Sequence, residues 1–230
     1  MAACRLIIAD DHPLFRDALR LTIAQTLPEA EIAEADSFDS LRRTLEAAAE
    51  TDLVLLDLSM PGMQGFSGLL FLRAQFSAVP VAIISANEEP RVVRLALELG
   101  ALGYITKSAT PAEIRAALAA LLAGKTWRPD LVDLRRRAED PDAELAPRLA
   151  RLTPQQVRVL MMLTEGLANK QIAHALDVSE ATVKAHVSAV LQKLGADNRT
   201  QAVILARRLA VESGALEPGS ERAARERGCG

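Results

Sequence analysis

The sequence predicts an α/β domain with a five-stranded, doubly wound parallel sheet, followed by an all-α domain of four helices. Across residues 4–123, short apolar runs alternate five times with amphipathic segments. This order is typical of parallel strands joined by helices. Residues 124–148 are charged and contain three prolines, and from Leu152 onward the apolar spacing is purely helical. The chain therefore divides into two domains and a connecting segment.

Each predicted strand is a short run rich in β-branched residues and leucine, as expected of strands buried on both faces. The five strands are predicted at Arg5–Ala9, Ala30–Ala35, Leu53–Asp57, Val81–Ser85 and Gly103–Thr106. Helix starts lie between them: Pro13 opens the first helix, Ser37 caps the second, and Thr110 precedes a proline at the first position of the last.

The C-terminal half contains four helix patterns. Thr153 is expected to cap the first helix, and Asn169 to Leu176 forms a short second one. Ser179 is expected to cap a longer third helix that ends near Leu194, and Asn198 to cap the fourth. A short helix, a tight turn and a longer helix make a helix-turn-helix.

The remaining segments are predicted to be connections. Residues 124–148 are interpreted as a linker with one short helix through LVDLRRR, leading to a helical domain at residues 149–212. The tail, residues 213–230, has too few apolar residues to order itself and is predicted to be disordered.

Composition indicates an ordinary soluble protein, since 50% of the 230 residues are hydrophobic and 25% are charged. No apolar run approaches the roughly 20 residues of a membrane span, and the N-terminus turns acidic too early for a signal peptide. The two cysteines offer no disulfide framework, so a cytoplasmic location without a membrane partner is expected. The net charge is −5 over residues 1–125 and +3 over residues 151–230, which suggests different partners for the two halves.

Polar side chains follow four of the five strands. Asp10 and Asp11 follow the first strand, Asp57 ends the third, Ser85 ends the fourth, and Lys107 follows the fifth. Chemistry in open α/β sheets lies outside the carboxyl ends of the strands, so these groups are expected to meet at one edge. Each alone has an ordinary structural interpretation, such as a helix cap or a solvated charge. Together they can hold a divalent cation, accept a phosphoryl group and respond to its arrival.

A carboxylate that accepts a phosphoryl group needs a cation, because the attacking and the transferring oxygens are both anionic. Mg2+ prefers carboxylate and carbonyl oxygens and keeps several waters. We expect Asp11 and Asp57 to be direct ligands, Asp10 to act through water or by orientation, and the backbone carbonyl of Ser59 to be a third ligand. Lys107 is expected to pair with the carboxylate and then with the phosphoryl oxygens.

Four motifs carry a family resemblance. IIADDHPLFR, LVLLDLSMPGMQG, IISAN and GYITK resemble the receiver domain of two-component response regulators over residues 4–123, and DDHPLFR resembles the NarL/FixJ subgroup. The resemblance implies a flavodoxin-like sheet and phosphorylation of Asp57 by the phosphohistidine of a sensor histidine kinase. It also implies that Lys107 and Ser85 are the switch pair and that Tyr104 is the aromatic residue that rotates inward.

Two positions depart from the usual receiver pattern. Ser108 follows Lys107 where proline is common, which leaves a cis peptide at this bond open. Ser85 stands where threonine is commoner, which keeps the hydroxyl and loses a methyl group. Tyr104 has an alternative interpretation as a static core residue.

The third C-terminal helix separates its residues by face. Its apolar positions recur at helical spacing and are expected to face the core, while Lys184, Ala185, Ser188 and Gln192 share the outer face and can enter a major groove. Phosphate contacts are expected from residues beside that face and in neighbouring elements: Thr182, His186, Lys193, Lys170, Arg199 and Thr200. In a generic helical segment these lysines would instead be solvated charges.

GLANKQIAHALDVSEATVKAHVSAVLQKLGADNRTQAV resembles the LuxR-type DNA-binding domain over residues 149–210. The resemblance implies base-facing positions at Lys184, Ala185 and Ser188, the last of which departs from a frequent basic residue. The two resemblances together imply a DNA-binding transcriptional response regulator. We expect phosphorylation to promote a homodimer that binds a promoter inverted repeat in double-stranded DNA.

The fourth helix, Arg199 to Arg208, is expected to present Ala202, Val203 and Ala206 as the dimer contact. Two alternative functions stay open from the residues. An aspartate-nucleophile phosphohydrolase would carry a second acid two residues after Asp57, where this chain has Ser59, so at most slow autodephosphorylation is expected, tuned by Ser59 and Asn87. A protein-binding module would lack the steep salt dependence of a DNA-binding one.

Overall fold

A computed structural model describes residues 4–48, 50–63, 65–129 and 144–211. The first domain contains β1 (Arg5–Ala9), α1 (Pro13–Thr26), β2 (Glu31–Ala35), α2 (Phe38–Ala47), β3 (Leu53–Asp57), α3 (Ser67–Gln75), β4 (Val81–Ser85), α4 (Pro90–Glu98), β5 (Gly103–Thr106) and α5 (Pro111–Leu122). The second contains α6 (Leu145–Leu149), α7 (Pro154–Thr164), α8 (Asn169–Leu176), α9 (Glu180–Leu194) and α10 (Arg199–Val211). The helix predicted through LVDLRRR and the predicted disordered tail lie outside the described residues.

The sheet has the strand order β2-β1-β3-β4-β5, and every neighbouring pair is parallel. This confirms the predicted doubly wound sheet, with the second strand starting one residue later than expected. Helices α1 and α5 cover one face through residues such as Leu19 and Leu118, and α2, α3 and α4 cover the other through residues such as Leu41 and Val92. The strand order reverses at β1 and β3, so the crevice outside their carboxyl ends is where a ligand is expected to bind.

Helix starts follow the local signals in the sequence. The hydroxyls of Ser37, Thr110 and Thr153 accept hydrogen bonds from the backbone three residues ahead, and the third residue of each helix bonds back in a capping box. The Ser179 hydroxyl caps α9 by accepting from the amide of Thr182 at 3.0 Å. These caps satisfy amides that have no partner within the helix.

Residues just after α5 cover the open edge of the sheet. Gly103 in β5 forms a parallel bridge with Trp127, and the amide of Tyr104 donates to the Trp127 carbonyl at 2.9 Å. A Cβ atom on Gly103 would lie 2.9 Å from that carbonyl oxygen and 2.7 Å from a methyl of Leu121. The first residues of the predicted linker therefore pack against the strand that carries Tyr104.

The helical domain has its own small core, which includes Val159, Leu163, Ile172 and Val183. Helices α8 and α9 form the helix-turn-helix, and we call α9 the recognition helix. Asp177 lies in their turn with a left-handed φ of 53°, a conformation that Asp tolerates better than most residues. Among the described residues, no helix is long and apolar enough to cross a membrane.

The two domains contact each other through α3 and α7. A cavity of about 30 Å³ at this contact is lined by Phe66 and Leu70 of the first domain and by Leu160 and Ala206 of the second. Four of the five residues of the short helix α6 lie in the segment, residues 124–148, that the sequence predicts as a linker. Its side chains Leu145, Ala146 and Leu149 are buried, so this part of the connection is packed against the domains.

Candidate functional site

Two buried acids lie at the carboxyl ends of the paired strands β1 and β3. Asp10 is 0% exposed and Asp57 is 1% exposed. The register pairs Ala9 with Leu56, so the residues that follow, Asp10 and Asp57, end side by side. Ligand atoms of Asp10, Asp11, His12 and Asp57 all lie within 4.8 Å of one another. The predicted convergence of acids from separate strands is thus present in the structure.

The ammonium of Lys107 joins the two buried acids. Its Nζ lies 2.8 Å from Asp10 Oδ2 and 2.9 Å from Asp57 Oδ2. Burial raises the pKa of Asp57, although the neighbouring ammonium acts in the opposite direction. Burial alone would lower the pKa of Lys107, but hydrogen bonds to Asp10 and Asp57 outweigh it, so the net shift is upward. A positive charge is therefore held against the carboxylate predicted to accept phosphate.

The donor set fits a hard divalent cation. Carboxylates of Asp10, Asp11 and Asp57 face one another, and one ammonium does not balance three negative charges. Oxygen ligands of this kind suit Mg2+. The backbone N–H of Ser59 donates to Asp57, so Ser59 lies at the site, while ligation by its carbonyl stays a prediction.

His12 is a site residue that the sequence interpretation missed. Its Nδ1 lies 2.8 Å from Asp11 Oδ1 and 3.3 Å from Asp10 Oδ1. The signal was present in the string DDH, where the residue after two acids shares their loop. An imidazole at this distance can orient the carboxylate of Asp11.

Ser85 and Tyr104 lie together behind the acids. Ser85 is 1% exposed and accepts a hydrogen bond from the Asn87 amide at 3.2 Å, while its carbonyl accepts from the amide of Lys107 at 2.8 Å. Tyr104 is 0% exposed, and its hydroxyl donates to the Asn87 carbonyl at 2.6 Å. Burial raises the pKa of Tyr104 to about 12, while a hydrogen bond with Ser85 acts in the opposite direction. The aromatic ring is therefore already inward, and its predicted rotation stays a prediction.

The loops after β4 and β5 are joined at the rim of the site. The hydroxyl of Ser108 donates to the Glu88 carboxylate and lies 3.1 Å from the hydroxyl of Thr106. The bond between Lys107 and Ser108 is trans, which answers the question that the missing proline left open. Serine at this position thus supplies a side-chain contact between the two loops.

The outer face of the recognition helix is open to solvent. Lys184, Ala185, Ser188 and Gln192 are exposed, whereas Val183, Val190 and Leu194 on the opposite face are 0% exposed. The predicted division between core and reading faces is therefore present. Lys184 makes an i,i+4 ion pair with Glu180 at 3.2 Å, which leaves its ammonium at the surface.

The predicted phosphate-contacting residues fall into two groups. Lys170, Thr182 and Thr200 are exposed, and His186 is half-buried. Arg199 donates to the Leu167 carbonyl at 2.6 Å, which holds α10 against the start of α8. Lys193 donates to the Arg151 carbonyl at 2.8 Å and to Gln156 Oε1 at 2.7 Å. These last two cations thus have partners inside the protein.

The expected dimer contact on α10 needs correction. Ala202 is 0% exposed, Val203 packs on the helical core, and Ala206 lines the cavity beside α3. Small residues on this face allow close packing of α10 inside the domain. Ala202 is therefore not available to a partner, and Val203 and Ala206 are partly buried. The outward side of α10 carries Ile204, which is 50% exposed.

Comparison with protein families assigns both domains. Residues 6–119 match the response regulator receiver domain. Residues 150–206 match the bacterial regulatory proteins of the luxR family. The matches cover the buried acids and the helix-turn-helix, respectively.

Similar proteins match this chain across both domains. The glycerol metabolism activator of Pseudomonas putida is 42% identical over 208 residues, which are 88% of this chain and 94% of that protein. The nitrate/nitrite response regulator protein NarL of Escherichia coli K12 is 30% identical over 201 residues, covering 86% of this chain and 93% of NarL. A solved structure of two RcsB dimers bound to two parallel DNAs has a TM-score of 0.53 and 25% identity, covering 89% of this chain and 98% of that one.

Proposed function

Because the chain belongs to the two-component response regulators that join a receiver domain to a LuxR-type DNA-binding domain, we propose that phosphorylation of Asp57 controls its binding to promoter DNA. The observation that carries this proposal is the buried carboxylate of Asp57, held 2.9 Å from the Lys107 ammonium beside Asp10. The phosphodonor is the phosphohistidine of a cognate sensor histidine kinase.

Each residue of the acidic site has a separate role. An oxygen of Asp57 attacks phosphorus, a P–O bond forms, and the bond from phosphorus to the histidine nitrogen breaks. Asp11, Asp57 and the Ser59 carbonyl would hold Mg2+, with Asp10 acting through water or by orientation. The cation would supply positive charge against the phosphoryl oxygens. Lys107 stays paired with Asp57 and then with the new phosphoryl group.

The response to phosphorylation passes through Ser85. Its hydroxyl donates to a phosphoryl oxygen, which draws the loop after β4 toward Asp57. The Tyr104 hydroxyl donates a hydrogen bond to the Asn87 carbonyl in that loop, so the ring and the loop move together. The switch pair is therefore Lys107 and Ser85, with Tyr104 following the loop.

The chain ends the signal slowly rather than turning over a substrate. A second carboxylic acid two residues after Asp57 would protonate a leaving group. Ser59 stands at that position, and its hydroxyl is too weak an acid to do so. Autodephosphorylation is therefore the slow loss of phosphate to water. Ser59 and Asn87 are the side chains that set its rate.

DNA is bound by the helical domain as a dimer. Lys184, Ala185 and Ser188 read base edges in the major groove. Phosphates on either side are reached by Lys170, Thr182, His186 and Thr200. Because the reading face is exposed before phosphorylation, dimer formation rather than uncovering of that face supplies the gain in affinity. Ile204 on the outward side of α10 is the dimer contact in this domain. A regulator that acts on promoter DNA in this way works in the cytoplasm.

The experiment that tests this function is an unbiased selection of bound genomic DNA fragments, with and without acetyl phosphate and Mg2+. We expect a shared sequence motif to be enriched by the phosphorylated chain. Asp57→Asn removes the acceptor oxygen and is expected to give the unphosphorylated result under both conditions. Acid-labile phosphate on the Asp57→Asn variant at the normal rate would contradict the acceptor assignment.

A further inference from the structure

Helix α6 lies between the receiver domain and the recognition helix. It contacts α4 on one side and α9 on the other. Its buried Leu149 lines two cavities together with Leu70 of α3. A helix of five residues has little stability alone, so these tertiary contacts hold it in place.

Arg148 of α6 is attached to the end of the recognition helix. Its Nη1 donates to the Leu194 carbonyl at 3.2 Å, and Glu144 orients the guanidinium at 2.7 Å. Leu194 is the last residue of α9, and Gly195 leaves the helix in a left-handed conformation with φ 67°. Carbonyls in a last turn lack partners within the helix, and a cation there interacts favourably with the helix dipole.

Lys193 makes a second attachment in the opposite direction. From the last turn of α9 it donates to the Arg151 carbonyl at 2.8 Å and to Gln156 Oε1 at 2.7 Å. Gln156 is buried, and the same oxygen accepts from the Thr153 amide at 3.0 Å as part of the α7 cap. If Lys193 turned to a DNA phosphate, it would abandon both of these bonds.

We propose that Arg148 and Lys193 are positioning residues that fix the recognition helix relative to the receiver domain. Arg148 does so through α6, which contacts α4, and Lys193 does so through α7, which contacts α3. We call their bonds to Leu194, Arg151 and Gln156 the α9 attachment. In the phosphorylated homodimer, it passes the arrangement of the two receiver domains on to the distance between the two recognition helices on DNA. Lys193 acts through Arg151 and Gln156 rather than on phosphate. This inference rests on the proposed DNA-binding function.

The test uses the full phosphorylated chain and two duplexes recovered from the selection, one with both half-sites and one with a single half-site. For Arg148→Met and Lys193→Met we expect a loss of about two- to fivefold on the paired duplex, the range typical of a cation at a helix C-terminus. Binding to the single half-site should not change. Lys193→Arg keeps a donor and is expected to restore the paired affinity.

Salt dependence separates positioning from phosphate contact. Loss of one phosphate contact makes the log-log salt slope shallower by about 0.9 per bound protomer. We expect Lys170→Met, at an exposed lysine, to show that change, and Lys193→Met and Arg148→Met to keep the wild-type slope. A shallower slope and equal losses on both duplexes for Lys193→Met would overturn its positioning role. Wild-type paired affinity for Arg148→Met would overturn the attachment.

A readout without DNA keeps the two proposals distinguishable. Amide hydrogen exchange in the last turn of α9 is expected to become faster in Arg148→Met and to stay unchanged in Lys170→Met. Failure of the wild-type chain to select any DNA would contradict the proposed function. The exchange experiment would still show whether Arg148 holds the end of α9. Unchanged exchange in Arg148→Met would contradict it. Arg148 is half-exposed, so folding should tolerate its replacement.

Discussion

At the scale of single residues, Lys107 has two tasks that mutation can separate. Its ammonium pairs with Asp57 before phosphorylation and with the phosphoryl group afterwards. We expect Lys107→Ala and Ser85→Ala to take up phosphate from acetyl phosphate and yet gain little DNA affinity, because the loop after β4 is no longer drawn inward. Comparison of phosphate content with DNA affinity measures both steps. A normal gain in affinity in either variant would refute the switch role of that residue.

Tyr104 gives a prediction at alkaline pH. Its pKa is about 12 in the folded protein, against 10.0 for an unperturbed tyrosine, so between these values only the unfolded tyrosine is ionised. Unfolding then releases a proton, and stability is lost as pH rises through this window. The loss reaches about 2–3 kcal/mol. The free energy of unfolding, measured with denaturant below pH 10 and near pH 12, should fall less in Tyr104→Phe than in the wild-type protein. An equal loss of stability in the two proteins would contradict the assignment of this pH dependence to Tyr104.

The acidic site could be predicted from the sequence because parallel strands deliver their last residues to one edge. The strand assignments and the sheet topology were enough to predict that four residues meet there: Asp10, Asp57, Ser85 and Lys107. The partners of Arg199 could not be predicted in the same way. Whether a basic side chain faces DNA or a carbonyl in the same protein depends on packing between helices, which helical periodicity does not report.

At the scale of elements, helix caps and helix α6 show where sequence signals end. Ser37, Thr110 and Thr153 cap their helices through contacts three residues away, so the sequence contains the whole signal. Helix α6 lies in a charged segment rich in proline, and it exists because Leu145 and Leu149 pack against other elements. Contacts between distant segments have no local signature, so the sequence pattern does not predict α6, most of which falls in the predicted linker.

Covering of the β5 edge by Trp127 makes Gly103 a sensitive position. An added Cβ would lie too close to the Trp127 carbonyl, so we expect Gly103→Ala to destabilise the protein by about 1–3 kcal/mol, as overpacking does. Trp127 is the single tryptophan of the chain, and its fluorescence should change. Gly124→Ala is the matched control, since its Cβ meets nothing within 4 Å and its cost comes from a φ of 71°. Unaltered fluorescence in Gly103→Ala would contradict the clash.

The recognition helix should lose selectivity when its exposed lysine is shortened. A good bidentate base contact discriminates by about 1–3 kcal/mol, so Lys184→Ala is expected to lose that much at symmetric positions of the two half-sites. Lys170→Ala should weaken all sequences alike. Binding to systematically substituted duplexes measures both effects. If Lys184→Ala weakened every duplex equally, its role in reading bases would be wrong.

At the scale of the whole molecule, one recognition helix is too small to select a promoter. Specific binding typically exceeds non-specific binding by about 4–10 kcal/mol, which is more than the few base contacts of one α9 supply. We expect footprints over two half-sites about one helical turn apart. Phosphorylation should raise affinity for the paired duplex and leave the single half-site unchanged. One protomer bound to an unpaired half-site at full affinity would exclude this arrangement.

The outward side of α10 should contribute to that pairing. Ile204 is half-exposed where Ala202 is buried, so a charge at Ile204 meets a partner without entering the core. We expect Ile204→Glu to reduce affinity for the paired duplex and not for the single half-site, with Ile204→Val as the control that keeps an apolar surface. Full cooperativity in Ile204→Glu would place the contact elsewhere.

The Trp127 bridge also determines where this protein can be divided. A receiver fragment that stops at Ala123 would remove the Trp127 carbonyl from the Tyr104 amide and uncover the outer side of β5, a strand at the margin of the sheet. Bare strand margins recruit other chains and cause aggregation. A fragment that continues to Pro129 keeps Trp127 paired with the outer side of β5. Chimeras that graft this receiver onto another output domain should therefore be joined after Pro129.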